Sequence, residues 1–270
     1  MILKDCPTSQ YSDNFYWYCP SITDHQASIR RNSILSGKRI SLTRFLSVLS
    51  HFSKNLSVSQ TAKEDDLQYS TVKNIYDSIR NCMAEDLLQN TDTMIGGPGT
   101  VVEIDESLFG KRKYNRGRQV RGTWILGGIE RGSNKCFLVE CTNNRRDHHT
   151  LLALIKQYIR PGTTIISDCW AGYRFLEQHG YRHVDVNHFR NFVDPLTGAH
   201  TNTVESQWHH VKRHCQRGVG YLRTDTDAMA LILSDFIWKK TNSLTGSTSD
   251  CRQFFAFSFP RLMCNVFASV

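Results

Sequence analysis

Val101-Val102-Glu103-Ile104-Asp105-Glu106-Ser107 is the stretch on which the fold of this chain turns. A short β-branched run that closes on an acid reads as a buried strand with a polar residue at its mouth. The pattern returns at Thr164-Ile165-Ile166-Ser167-Asp168. A third acid, Glu205, lies in His200-Thr201-Asn202-Thr203-Val204-Glu205-Ser206. There Val204, Trp208 and Val211 recur at helical spacing, and Lys212 follows one turn beyond Trp208. Between Asp105 and Asp168 lie 62 residues (168−105−1), and between Asp168 and Glu205 lie 36 (205−168−1). Two strand-end aspartates and a helix-borne glutamate form a donor set for two hard divalent cations. Mg²⁺ takes oxygen ligands, usually one or two carboxylates with water and phosphate. Two such ions about 3.5–4 Å apart clamp the attacking and leaving oxygens of an in-line phosphoryl displacement. Acids also close many strands as plain caps, so the weight falls on the elements around them.

Those elements follow in a definite order. Strands are expected over 101–107, 122–130 and 135–141, the last two joined at Gly132-Ser133-Asn134 as an antiparallel hairpin. A helix with Leu151, Leu154, Ile155 and Tyr158 on one face stops at Pro161-Gly162. A fourth strand over 163–167 ends at Asp168, a helix over about 170–179 ends at Gly180, and a fifth strand covers 183–187. The Glu205 helix comes next. A long helix at 225–240 then turns Met229, Ile232, Leu233, Phe236 and Ile237 inward. The order βββαβαβα predicts an α/β, RNase H-like mixed sheet with helices on both faces. Its first and fourth strands are neighbours, which brings Asp105 and Asp168 together. Glu103 and Glu106 are rivals for the first acid. Strand alternation puts Glu103 on the face of Asp105 and Glu106 on the other, so Glu106 is the weaker candidate.

Ahead of this region, Gly96-Gly97-Pro98-Gly99 reads as a linker or sharp turn and the clearest domain boundary. Residues 41–90 read as three helices, within a helix-turn-helix-like region over 41–95. Leu42, Phe45, Leu46 and Leu49 mark the first, and the second covers about 58–65. The third starts behind Ser70 as N-cap, with Val72, Ile75, Tyr76, Ile79 and Met83 on one face. The break at Asp66-Leu67-Gln68-Tyr69 makes the last two resemble a helix-turn-helix, with Lys73, Asn74, Asp77 and Arg80 outward towards DNA. An ordinary bundle with a solvated polar face fits the same pattern. In residues 1–40, Cys6-Pro7 and Cys19-Pro20 look like halves of two zinc knuckles. Ser9 and Ile22 stand where second cysteines belong, and His25 is poorly spaced as a substitute. A degenerate ribbon without N-terminal zinc is expected.

Composition narrows the partners. The chain of 270 residues has a formal charge of +8 and a pI near 9.1, which favours a polyanion. No apolar run approaches the roughly 18 residues of a membrane span. No signal-like apolar core follows Met1. Nine cysteines without a disulfide framework fit a reducing compartment.

Residues 103–132, Ser167-Asp168-Cys169-Trp170-Ala171-Gly172-Tyr173, Val186-Asn187-His188 and 199–208 with Lys212 together resemble the Merlin-type DDE transposases and their insertion-sequence relatives. The likeness covers most of 100–242, and the acid interval of 36 agrees with it. Outside it lies the tail over 243–270, with Phe254, Phe255, Phe257 and Phe259. The resemblance implies cut-and-paste transposition of DNA, with Asp105, Asp168 and Glu205 as catalytic residues holding two Mg²⁺ (or Mn²⁺) ions. It favours Asp105 as the first acid. It implies terminal inverted repeats and target DNA as partners, a homo-oligomer on DNA, and no membrane. The place of work would be the nucleus in a eukaryote, or otherwise the cytoplasm with the nucleoid. A transposase-derived DNA-binding protein that has lost catalysis is the alternative, and the missing N-terminal cysteines favour it.

The loop after the first strand carries Lys111, Arg112, Lys113, Arg116, Arg118 and Arg121 without an acid, which suits a DNA backbone entering the site. Lys212 is a further candidate phosphate contact. His188, His200 and Asn202 are candidate active-site supports, with Thr201 or Asn202 capping the Glu205 helix. Trp208 is expected to pack, and Cys169 to be inert.

Overall fold

The strand β4 (Val101–Phe109) runs through the middle of a five-stranded sheet. The structure, a computed structural model, describes residues 2–6, 13–20, 26–31, 33–90, 92–110, 122–133, 135–186, 200–219 and 226–242. β4 pairs antiparallel with β5 (Thr123–Glu130), which pairs antiparallel with β6 (Cys136–Glu140). On its other side β4 pairs in parallel with β7 (Thr164–Asp168), which pairs in parallel with β8 (Arg182–Val186). The spatial order β6-β5-β4-β7-β8 is therefore a mixed sheet in which the first and fourth strands of the region are neighbours, as expected.

Both faces of the sheet are covered. Val102, Ile104, Leu126 and Ile165 pack with Leu151 and Ile155 of α4 (His148–Tyr158) and with Tyr173. Ile125, Ile129 and Leu138 pack against Val204, Trp208 and Val211 of α5 (Asn202–Val219), and against Met229, Ile232 and Leu233 of α6 (Thr226–Thr241). Strand alternation divides these two cores, because successive side chains leave the sheet on opposite faces.

Two local expectations need correction. The helix expected over 170–179 is instead two single-turn 3-10 helices, Ala171–Tyr173 and Glu177–His179. Backbone bonds there span three residues: Tyr173 N to Trp170 O, Leu176 N to Tyr173 O and His179 N to Leu176 O. The two buried anchors, Tyr173 and Leu176, are also three apart, the spacing that aligns in a 3-10 turn. The glycine stretch is a turn as read, with Gly96, Gly97 and Gly99 all at positive φ, but it is no free linker. The N–H of Gly96 donates to Glu130 Oε2 at 2.8 Å, and that of Gly97 to Thr163 Oγ1 at 2.8 Å. A Cβ on Gly96 would stand 2.4 Å from Thr163 Oγ1, so glycine is required for this docking.

The chain divides into two compact units, the first built on Met1–Cys82 and the second, which holds the sheet above, on Met83–Thr245. The first unit opens with an antiparallel sheet of β1 (Ile2–Asp5), β2 (Phe15–Tyr18) and β3 (Gln26–Ser28). Its register pairs Ile2 with Tyr18 and Asp5 with Phe15. Three helices follow, close to expectation: α1 (Leu42–Ser53), α2 (Val58–Glu64) and α3 (Tyr69–Asn90). Ser41 caps α1, and Ser57 with Gln60 forms a capping box on α2. Ser70 is not a cap, because α3 already includes Tyr69 and the Gln68 carbonyl accepts from Thr71 and Val72. Phe45, Val48, Leu49, Phe52, Val72, Ile75, Tyr76 and Ile79 form the core of this unit. Among the described residues no helix is long and apolar enough to cross a membrane.

Candidate active site

The parallel register of β4 and β7 stands Glu103 beside Ile166. Two residues further along each strand, beyond the last bonded pair, Asp105 and Asp168 keep the faces of Glu103 and Ile166 by strand alternation. Side chains opposite one another in neighbouring parallel strands leave the sheet on one face, here the face that α5 covers. Glu205 lies in the first turn of α5. Asp168 and Glu205 both act electrostatically on Asp105. The three acids therefore share one neighbourhood, although among the described residues no three His, Cys, Asp or Glu side chains form a ready-made metal cage. Their donor set is oxygen alone, which fits Mg²⁺ or Mn²⁺.

Asp105 is mostly buried, and that burial pushes its pKa up to about 6. The indole of Trp208 opposes the shift by donating from Nε1 to Asp105 Oδ2 at 2.8 Å. Across the sheet Asp105 pairs with Gly127, and a Cβ there would lie 2.7 Å from the Trp208 ring. The glycine thus clears the surface over which the indole reaches the carboxylate. Trp208 also meets Phe109 edge-on, with centroids 5.8 Å apart. It is both packing and a carboxylate partner, and the second role was missed in the sequence. Its place one turn beyond Glu205, on the same helix, was the available signal.

Glu103 is fully buried and committed elsewhere. Its Oε2 accepts from the N–H groups of Thr203 and Val204 at 2.9 and 3.0 Å, and its Oε1 accepts from Thr203 Oγ1 at 2.8 Å and Arg131 Nε at 2.6 Å. A carboxylate at the positive end of a helix satisfies amides that lack partners within the helix. The N-terminus of α5, and with it Glu205, is thereby fastened to the strand that carries Asp105. Glu103 shares the face of Asp105, as alternation required, but serves as an anchor for α5.

The remaining sites sort clearly. His200 Nδ1 stands 3.5 Å from Glu103 Oε1, and the His200 carbonyl accepts from Arg131 Nη2 at 2.6 Å. Thr201 Oγ1 donates to Glu205 Oε1 at 3.1 Å. Asn202 opens α5 and is exposed. Lys212 is exposed, with Nζ 5.7 Å from the centre of the Phe109 ring. Trp170 N–H donates to Asp168 Oδ1 at 3.1 Å. Cys169 is exposed, its Sγ 3.5 Å from Asp185 Oδ2, and its pKa is raised by burial and by that acid. Glu106 faces the opposite side, next to the wholly buried Tyr173, and burial pushes its pKa up to about 7. Its Oε1 and the Tyr173 hydroxyl make no hydrogen bond of full geometry. Lys111, Arg112, Lys113, Arg116, Arg118, Arg121 and His188 lie outside the described residues.

In the first unit Lys73 is half-exposed and ion-paired with Asp77 on the same helix. Arg80 does not face outward as expected. It is 5% exposed, its guanidinium 5.5 and 5.7 Å from the ring centres of Phe52 and Tyr76. Its long stem is drawn into the bundle, and the head is held by aromatic faces and by Asp77 at 3.6 Å.

A family match falls within the second unit. The family model described as ISXO2-like transposase domain matches residues 94–220. That span begins just ahead of the glycine turn and contains all three acids. An uncharacterized transposase-like protein of Haemophilus influenzae is 27% identical over 94 residues, covering 35% of this chain and 72% of that protein. A solved structure of a pre-cleavage Mos1 transpososome is matched over 72% of this chain and 74% of that one, at 8% identity and a TM-score of 0.23, a likeness too slight to carry an argument.

Proposed function

We propose that this chain is a DNA transposase of the Merlin type, with an RNase H-like catalytic domain, that cuts and rejoins DNA at element ends. The observation that carries the reading is that Asp105 and Asp168, on adjacent strands, share the face covered by α5, with Glu205 acting on Asp105 from that helix. Asp105, Asp168 and Glu205 would hold two Mg²⁺ or Mn²⁺ ions. Bound there, the ions would lower the pKa of the attacking hydroxyl and neutralise charge on the leaving 3′-oxygen. The chain's own residues set the geometry. Trp208 fixes Asp105, Glu103 fixes the start of α5, and Thr201 holds Glu205. Water, and later a freed 3′-hydroxyl, would form a bond to phosphorus as the P–O3′ bond breaks, so one site serves cleavage and joining.

DNA would approach over Lys212 and the basic loop holding Lys111, Arg112, Lys113, Arg116, Arg118 and Arg121. The α2–α3 pair would act as a helix-turn-helix reader through Lys73. Partners would be terminal inverted repeats and target DNA, with a homo-oligomer assembled on them in the nucleus or nucleoid. The test is incubation of purified chain with Mg²⁺ and a DNA fragment bearing the element's own ends, with cleavage and joining read separately. Cleavage that disappears in Asp168→Asn supports the reading. Tight binding without cleavage in any divalent metal would leave a DNA-binding protein derived from a transposase.

A further inference from the structure

Directly after Asp168 the chain presents aromatic side chains to solvent. Trp170 is 40% exposed and Phe175 42% exposed, although both belong to the short stretch that also buries Tyr173 and Leu176. The indole of Trp170 is not loose. The guanidinium of Arg146 lies between it and Trp124, 4.7 Å from the Trp170 ring centre and 4.1 Å from that of Trp124. Trp124 is half-buried and packs on the core between the sheet and α4. The backbone of Trp170 is tied to the acid itself, through its N–H to Asp168 Oδ1. Gly172 completes the seat, because a Cβ there would stand 2.6 Å from Trp170 Nε1. Three features thus hold a large aromatic ring at the rim of the candidate site and leave it open to solvent. The cation placed against it is Arg146, and Arg145 and Arg174, near it in sequence, are exposed.

A fixed, exposed indole backed by a guanidinium suits a nucleobase. Every base has a π-face that stacks without regard to sequence, and adjacent cations meet the backbone phosphates. A base inside a duplex is already stacked on its neighbours and cannot offer that face, so the fitting ligand is an unpaired nucleotide. We propose that Trp170, seated by Arg146, Trp124 and Gly172, is a stacking platform for an unpaired nucleotide of the DNA strand next to the scissile phosphate. The location rests on the transposase reading of Asp105, Asp168 and Glu205.

The experiment uses the full chain in EDTA at low salt, where no cleavage interferes. Three probes of equal length are titrated by fluorescence anisotropy: an oligothymidylate strand, an abasic deoxyribose-phosphate strand, and a duplex. Trp170→Ala is expected to weaken binding of oligothymidylate roughly 5- to 150-fold, the range for one stacked base, and to leave the abasic strand and duplex unchanged. Trp170→Phe, which keeps an aromatic face, should recover most of the loss. Equal binding of oligothymidylate by wild type and Trp170→Ala overturns the platform while leaving DNA recognition intact. So does an equal loss on all three probes, which would mark a general effect on charge or folding. Failure of the wild type to bind any of the three removes DNA as the partner, and the transposase reading with it.

Discussion

Asp105 is held where a carboxylate is reluctant to ionise. Burial raises its pKa to about 6, and burial again raises that of neighbouring Glu106 to about 7. Raised folded-state values mean that the metal-free chain gains stability from these groups when they are protonated. The gain is complete below the unfolded values and is lost as pH rises through about 6 and 7. In EDTA, Asp105→Asn should therefore be more stable than wild type at pH 7.5, on the order of 1–3 kcal/mol, with the gap narrowed to roughly half at pH 5 and closed only below the unfolded value of 3.8. Urea unfolding midpoints at the two pH values check this, and a gap that does not change with pH would refute it. The same substitution, like Asp168→Asn and Glu205→Gln, should lower cleavage on the order of 10²–10³-fold or more, the scale of removing one electrostatic stabiliser from a transition state. DNA binding should persist. A variant that cleaves as wild type would lose its place among the three acids. Asp168 was legible because it ends β7 and Glu205 because it rides an apolar helix period, whereas Asp105, expected at a strand end, lies mid-strand, since β4 runs on to Phe109 along its β5 partner. The settings were not, because the Trp208 bond and the Glu103 anchor span 103 and 100 residues of chain, respectively.

Among the elements, α5 depends on a distant residue. Its first free N–H groups are met by Glu103, a strand residue. Glu103→Ala should destabilise the second unit by roughly 2–4 kcal/mol, below the worst case for a broken buried pair because Arg131 keeps partial access to water. Cleavage should fall further than the folded fraction does, since Glu205 loses its fixed start. Paired denaturation and cleavage assays separate the two effects, and a drop in cleavage matched by unfolded protein would return Glu103 to a purely structural part. In the first unit Tyr76 is the analogous bond. Its hydroxyl meets Thr61 Oγ1 at 2.7 Å across the α2–α3 turn, so Tyr76→Phe should cost about 1–2 kcal/mol in thermal or urea unfolding. Strand and helix positions were largely readable here, since apolar periods of two and 3.6 alternate cleanly along 101–240. The stretch 170–179 misled because Tyr173, Leu176 and a closing Gly180 fit the start of an α-helix as well as 3-10 turns. Arg80 misled because helical spacing gives a direction, while the reach of its stem and two aromatic rings decide where the charge ends.

At the scale of the whole molecule, charge and spacing act over longer distances. Replacing Lys111, Arg112, Lys113, Arg116 and Arg118 by alanine should flatten the salt dependence of DNA binding, by about 0.9 in the logarithmic slope for each phosphate that the loop no longer neutralises. An unchanged slope would make the loop an ordinary solvated run. At the N-terminus the β1–β2 register puts Cys6 beyond one end of the pair and Cys19 beyond the other, about 17 Å apart at ~3.4 Å per residue. Two thiolates on one zinc stand no more than about 4.6 Å apart. Purified protein is therefore expected to carry no stoichiometric zinc, and elemental analysis finding one zinc per chain, lost in Cys19→Ser, would overturn that. The placement of Asp105 on the face covered by α5 has a further consequence, for heredity. Asp105 and Glu106 are consecutive, so deleting one codon upstream within β4 would slide Glu106 into the place of Asp105 and keep a carboxylate at that address. The same slip would carry Val102 and Ile104 off their core face and pull Glu103 away from α5. Copies of this gene should thus scarcely ever drop a triplet within β4.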